Sequence, residues 1–305
     1  MIEPASLLPL QFGARLVVCA GDPQQLPPVT ARAPAEEEPK SDLSRLSLFV
    51  RLALAGVPKV TLYTQYRCHP VLSGLCSRLF YGGAVVDGIS PWQRGPRIRG
   101  LAPLVFYDYS DAAQVTWSSA MAEQLHAASG SLFNAFEATI AVRLVTALLS
   151  RGCRPDTLGV ICLYKAQVWE VLRMLPMSAR DVQVATVDAF QGSERSIIVL
   201  CCSRTATNSA KSATGGASGA QGKSALRFID DGARLNVAFS RAQHHLLVVG
   251  HARCLEVAPL WSAVLACARG LAGGLRSCGV GFSEAGEDML LAPPQLLQPL
   301  ASHTG

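Results

Sequence analysis

The chain has 305 residues, enough for one large domain or two small ones, with half of them apolar, 16% charged and a formal net charge of +5. That supplies a sizeable core and leaves a rather apolar surface, or one meant for a partner; the mild positive balance suits a polyanion without proving one. No apolar run approaches the roughly 20 residues of a membrane helix, and ten cysteines without a C-x-x-C speak against a zinc site and for small core residues in a reducing compartment.

No basic-then-apolar leader opens the chain, so a soluble intracellular protein is expected. Ser6 to Phe12 reads as a short helix. RLVVCAG, residues 15–21, reads as a buried strand, and GDPQQLPP as a loop at its carboxyl end. Asp22 and Gln25 are placed there to touch something held above the sheet. A glutamine donates and accepts at once, so Gln25 can bridge a terminal phosphate or an attacking water to its neighbours. Residues 31–45 form a polar linker. Leu43, Leu46, Phe49, Val50 and Leu54 have helical spacing, ended by Gly56 and Pro58. VTLYTQYRCHP, from Val60 to Pro70, reads as a strand delivering Gln65, Tyr66 and Arg67 to a loop. Arg67 brings a permanent charge and a donor fork suited to phosphate oxygens, and Tyr66 a flat face for an adenine. His69 reads as structural. A helix follows, closed by Gly82 and Gly83. Between 89 and 130 only LVFYDY reads as a strand, and no role is assigned.

Ser131 to Ser150 reads as a helix. LGVICLYKAQVWEVLRML reads as strand, loop and helix, with Tyr164 and Lys165 placed either to face nucleic acid or to serve core and surface roles. QVATV alternates like a strand, DAFQG turns, and SERSIIVLCC runs into a second apolar strand. Asp188, Gln191 and Gly192 thus sit where a strand ends, the place where open α/β sheets bind ligands. Gly192 permits close backbone approach, and Glu194 can accept the two hydroxyl hydrogen bonds of a ribose. ASGAQGKS, from Ala217 to Ser224, imitates a phosphate loop. A low-complexity Ser/Ala/Gly run leads into it and RFIDD follows where a helix should open, so it is set aside. In ARLNVAFSRAQHHLLVVGH, from Ala233 to His251, Leu235, Val237 and Phe239 face a core, Arg234 and Arg241 stay polar, and LLVVG is the last central strand. A closing helix follows, and residues 271–305 are expected to be mostly disordered.

Several of these strings resemble one family in its own order. GDPQQLPP resembles motif III, QYRCHP a characteristic element, YKAQ motif IV, VDAFQGSE motif V and ARLNVAFSRAQ motif VI of superfamily 1 helicases of the up-frameshift-like 5′→3′ group. Asn134, Glu137 and Ala138 match an N-x-x-E-A pattern that packs and positions there. The cysteine of QYRCHP, the LYK of motif IV and the HLLVVG after motif VI bring the chain closest to the branch of DNA helicases that carry GRF zinc fingers. The implied fold is α/β, the RecA-like P-loop NTPase helicase fold, a parallel sheet flanked by helices. Residues 1–59 would be the remnant of an incomplete first RecA-like domain, 60–265 the second, and 266–305 a disordered tail.

The resemblance implies ATP in a cleft between the two domains. Tyr66 would stack on the base and Glu194 meet the ribose. Gln25, Arg67 and Arg241 would act on the γ-phosphate, Arg241 as an arginine finger. Asp22, Gln191 and Gly192 would complete the nucleotide site. Thr186 and Tyr164 would hold single-stranded nucleic acid, DNA favoured over RNA. Repair, with repair or recombination proteins as partners, and a nuclear location are implied in the same way, with no membrane. In the family, a Walker B segment D-E-[AC]-S-Q precedes residues much like MIEPASLLPL, so Met1 falls just after it. The chain is therefore expected to be the C-terminal portion of a longer enzyme or a truncated product, with the Mg2+ ligands in the part that precedes it. Alone it is expected to be inactive. The alternatives are a catalytically inactive module that binds nucleic acid or a partner, and an RNA helicase of the same group.

Overall fold

The computed structural model describes residues 6–28, 47–110, 122–205, 228–278 and 290–291. Six strands form one all-parallel sheet: β3 (Leu104–Asp108), β6 (Leu158–Cys162), β7 (Gln183–Thr186), β8 (Arg195–Cys201), β9 (Ala242–Gly250) and β10 (Leu275–Ser277). Their spatial order is β10-β3-β9-β8-β6-β7. Two short pairs stand apart, β1 (Thr64–Gln65) parallel to β2 (Val86–Asp87), and β4 (Gln124–Leu125) antiparallel to β5 (Leu132–Phe133).

The central strands are apolar nearly end to end because both faces are covered. Successive side chains point to opposite sides. Phe106, Ile198, Leu200, Leu246 and Val248 face one layer, where helices α2 (Pro70–Phe80), α6 (Gly232–Phe239) and α8 (Pro259–Arg269) bring Leu72, Phe239 and Trp261. Val105, Tyr107, Ile197, Val199 and Leu247 face the other, where α3 (Ala135–Ser150) and α4 (Lys165–Met174) bring Ile140, Leu144 and Val171. Two short helices, α5 (Val187–Phe190) and α7 (Ala252–Leu255), and one near the start, α1 (Leu48–Leu54), complete the set.

Polar side chains set where the helices begin. Asn134 accepts from Glu137 N at 2.9 Å, and Asp231 accepts from Arg234 N at 3.0 Å. His69 Nδ1 accepts from Val71 N at 3.1 Å, which gives this histidine the structural role expected of it. Gly159 in β6 has a different task. A Cβ there would lie 2.6 Å from the Phe190 ring, so its bare backbone lets the return from β7 to β8 cross the sheet face.

Four expectations need correction. RLVVCAG forms no strand: Leu16 and Val18 are about 80% exposed, and Cys19 is exposed with them. Of the strand read from Val60, only Thr64–Gln65 pairs; Val60 and Leu62 stay exposed. A strand needs a hydrogen-bonded neighbour, and none of the described strands pairs with residues 15–21 or 60–63. Part of the tail is ordered, since β10 adds an edge to β3. Further on, Leu290 is buried, its carbonyl accepting from Tyr107 Oη at 2.9 Å and Arg276 Nη1 at 2.7 Å. Lastly, the turn after β7 is the helical α5. The phosphate-loop imitation at 217–224 lies outside the described residues.

Glu137 is fully buried where β8 ends. Both its carboxyl oxygens accept from Ser203 N, at 2.8 and 2.9 Å, and Oε2 accepts from Tyr109 Oη at 2.9 Å. These bonds hold Ser203 at φ 65°, a left-handed conformation costly for a side chain. Burial pushes the Glu137 carboxyl up to about 8, against an ordinary 4.5, although those hydrogen bonds pull the other way. The folded chain therefore keeps a proton that the unfolded chain has released across this window. Stability is fully present below about pH 4.5 and is lost as pH rises toward about 8. Glu137→Gln, neutral throughout, is expected to flatten the fall in Tm between pH 5 and pH 8. A slope equal to that of the unsubstituted chain would refute this assignment.

Candidate functional site

Residues from four distant segments line one cavity of about 500 Å³, among them Asp22, Tyr66, Arg67, Tyr81, Glu194 and Asn236. Its first wall is the Gln65–Arg67 stretch. Gln65 Oε1 accepts from Arg67 N at 2.8 Å and Cys68 N at 2.9 Å; Nε2 donates to Cys68 O at 3.0 Å and to Asp87. Arg94 grips the same stretch from its carbonyl side, donating from Nε to Arg67 O at 2.6 Å and from Nη2 to Tyr66 O at 2.9 Å. The Tyr66 ring lies against Gly88, where a Cβ would be 2.2 Å from Cε1, yet the residue is 63% exposed. One face is thus backed by bare backbone and the side chain remains open to a ligand.

Arg67 and Glu194 form an ion pair, and Arg67 Nη1 also donates to Ser240 O at 3.3 Å. Gln243 Nε2 donates to the other Glu194 oxygen at 2.8 Å. Partial burial pushes the Glu194 carboxyl up, but the Gln243 hydrogen bond and the Arg67 charge outweigh it and hold it below the usual range. Glu194 is therefore ionised at neutral pH.

Arg241 is 3% exposed. It donates to Val237 O at 3.1 Å, Ser193 O at 3.3 Å and Gln25 Oε1 at 3.2 Å, all of them neutral oxygens. Burial and then the neighbouring Arg67 charge lower its pKa, yet a guanidinium keeps its proton. A buried cation whose hydrogen bonds end on neutral acceptors, beside a second cation, is a place where an anion is stabilised.

Gln25 is held in turn. Its Nε2 donates to Asp22 Oδ2 at 3.0 Å, and Tyr81 Oη donates to the same oxygen at 2.5 Å. Asn236 Nδ2 donates to Tyr81 Oη at 2.7 Å and to Gln24 O at 2.9 Å. The 22–25 loop and helix α6 are thereby joined through Tyr81.

Strand direction sorts the expected site residues into two groups. β6, β7 and β8 are in register at Cys162, Thr186 and Cys201, so Tyr164 and Thr186 stand at the carboxyl edge of the sheet. Glu194 and Arg241 immediately precede β8 and β9, whose starts pair at Arg195 and Ala242, so they stand at the amino edge. The expectation that this ligand cluster would form at the carboxyl ends is thus corrected: α5 carries the chain back across the sheet before Glu194 is reached. Asp188, Gln191 and Gly192 are exposed on that return, Gly192 at φ 87°, next to Ser193 whose carbonyl takes Arg241. Tyr164 is half-buried with its ring 4.8 Å from that of Phe228, and Thr186 caps α5 through its hydroxyl. Sequence reasoning missed Gly88, Arg94, Tyr81, Asn236 and Gln243. Asn236 and Gln243 lie inside the string ARLNVAFSRAQ and Tyr81 inside FYGG, so those three carried a signal; Gly88 and Arg94 lie in stretches without one.

The model of the AAA domain family matches residues 44–253. The chain is 37% identical over 283 residues to the mouse 5'-3' DNA helicase ZGRF1, covering 90% of this chain and 14% of that protein. It is 32% identical to the ATP-dependent helicase NAM7 of Saccharomyces cerevisiae, over 86% of this chain and 25% of the relative. Identity to the ATP-dependent helicase upf1 of Schizosaccharomyces pombe is 32%, over 85% and 26%. The chain thus spans about a seventh to a quarter of the length of these relatives. A solved C-terminal domain of a possible DNA helicase from Lactobacillus plantarum covers 70% of the chain and 98% of its own at 13% identity and a TM-score of 0.35, a likeness that carries no weight beside the others. With a parallel sheet flanked by helices and the family model spanning most of it, the chain belongs to the AAA-domain family of up-frameshift-like superfamily 1 helicases.

Proposed function

We propose that this chain is the C-terminal portion of an ATP-dependent 5′→3′ DNA helicase, coupling ATP hydrolysis to movement along a single strand and serving DNA repair in the nucleus. The observation that carries the reading is the meeting of Gln25, Arg67, Glu194 and Arg241 beside one cavity, with the open Tyr66 ring at its rim. A triphosphate offers this cluster negative charge for Arg241, phosphate oxygens to replace Glu194 on Arg67, hydroxyls for the Glu194 so released and a base for Tyr66. Arg67 then leaves Glu194 for phosphate, while Gln25 and Arg241 remain one unit at the terminal phosphate. Thr186 and Tyr164, at the opposite sheet edge, mark the side where a strand would lie, with residues 1–59 belonging to a first RecA-like domain and 60–265 to the second.

Magnesium does not fit the donor set at hand. Among the described residues no group of three or more His, Cys, Asp or Glu is placed to hold a metal. Asp22 is taken by Tyr81 and Gln25, and Glu194 by Arg67 and Gln243. The DNA reading leans on the mouse relative; an RNA helicase of the same group is the second reading. Fluorescence anisotropy with labelled single strands decides between them, with binding expected to weaken steeply as salt rises. Tighter binding to RNA than to DNA of the same sequence would replace the first reading with the second.

Arg67→Ala and Arg241→Lys are each expected to weaken ATP binding by about tenfold, because the first removes a charge at phosphate and the second keeps the charge but loses the planar donor fork. Isothermal titration calorimetry checks this, and unchanged affinity in both variants would remove the triphosphate from this cavity. The purified 305-residue chain is expected to show negligible ATP turnover in a phosphate-release assay. Measurable hydrolysis would show that these residues suffice for the chemistry.

A further inference from the structure

The loop after β2 was silent in sequence, yet it forms the back of the cavity. Gly88 leaves room for the Tyr66 ring, and Arg94 spans two consecutive backbone carbonyls, those of Tyr66 and Arg67. These two residues carry different tasks in the proposed site, one for the base and one for phosphate. The loop itself is tied to β9. His244 Nδ1 bonds Gly95 O at 2.8 Å, and His245 Nε2 accepts from Arg97 N at 2.9 Å. His245 Nδ1 therefore carries the proton and donates to Ala102 O at 2.9 Å. Burial lowers the His245 pKa to about 4, so this staple stays neutral across the physiological range.

We infer that Arg94 is a positioning residue for nucleotide, holding Tyr66 and Arg67 in a fixed relation so that base and phosphate are received together. The inference rests on the nucleotide reading of the cavity. A guanidinium suits the task because its planar fork reaches two carbonyl oxygens at once, whereas an ammonium is a point donor. Tyr66 and Arg67 side chains can each turn about χ1, but their peptide planes are fixed, by Gln65 at the amide of Arg67 and by Arg94 at both carbonyls. Pre-organisation of this kind raises affinity by lowering the ordering cost of binding, without touching the ligand.

Two half-ligands separate the tasks. Adenosine reports on Tyr66 and inorganic tripolyphosphate on Arg67, each titrated into the full chain by calorimetry or ligand-observed NMR. Tyr66→Ala is expected to lose adenosine alone, and Arg67→Ala tripolyphosphate alone. Arg94→Ala should weaken both, each by about fivefold, the scale of a lost hydrogen-bonded clamp. Arg94→Lys, which keeps the charge and one contact, should fall between the Ala variant and the unsubstituted chain for both probes. Gly88→Ala should weaken adenosine and spare tripolyphosphate. If the unsubstituted chain binds both probes and the Arg94 variants match it, or lose only one, the inference is overturned while the nucleotide reading stands. If the unsubstituted chain binds neither, the nucleotide reading falls and the inference with it.

Discussion

A buried guanidinium that finds only neutral oxygens is the constraint on which this site depends. Arg241 is fixed by the carbonyls of Val237 and Ser193 and by the side chain of Gln25, so its charge is oriented without a direct ion-pair partner, Glu194 acting on it only from a distance. Such an arrangement is destabilising by itself and is kept only if the surrounding fold over-determines it. The surroundings do so. Val237 belongs to α6, whose Leu235 and Phe239 are locked into the core, and Ser193 ends the return across Gly159. Sheet packing far from the cavity is thereby converted into charge at the cavity.

The second arginine is handled differently. Arg67 sits at the surface of the cavity, neutralised by Glu194, and that pair is partly exposed. A partly solvated ion pair exchanges partners at little cost, since each member can be rehydrated or re-paired as it leaves the other. One cation is therefore permanent and one is conditional.

The sheet, the helices and their order were legible in the sequence because burial on both faces writes long apolar runs, and because Gly, Pro and capping side chains mark the ends. SIIVLCC and HLLVVG became β8 and β9 with few surprises. The identities of Arg67, Glu194 and Arg241 were legible through the strings that contain them. The resemblance placed them around one nucleotide, but the sheet edge at which Glu194 and Arg241 stand was not legible, because it depends on which way each strand runs and on how α5 returns. RLVVCAG shows the opposite failure. Its pattern is that of a buried strand, but a pattern records the environment a segment is suited to, and the described residues offer it no sheet to join. Arg94 was unreadable for a third reason: it bonds backbone carbonyls, and a backbone partner leaves no mark on the partner's residue type.

The bond between Gln25 and Arg241 spans 216 positions of chain. During synthesis the chain emerges from its amino end, and domains fold as their sequence becomes available. The 22–25 loop therefore cannot make this bond until α6 and the two residues after it have been made. Every nascent chain that stops short of Arg241 carries that loop unclosed. A ribosome stalled in this interval would hold the 22–25 loop without the partner that orients Gln25.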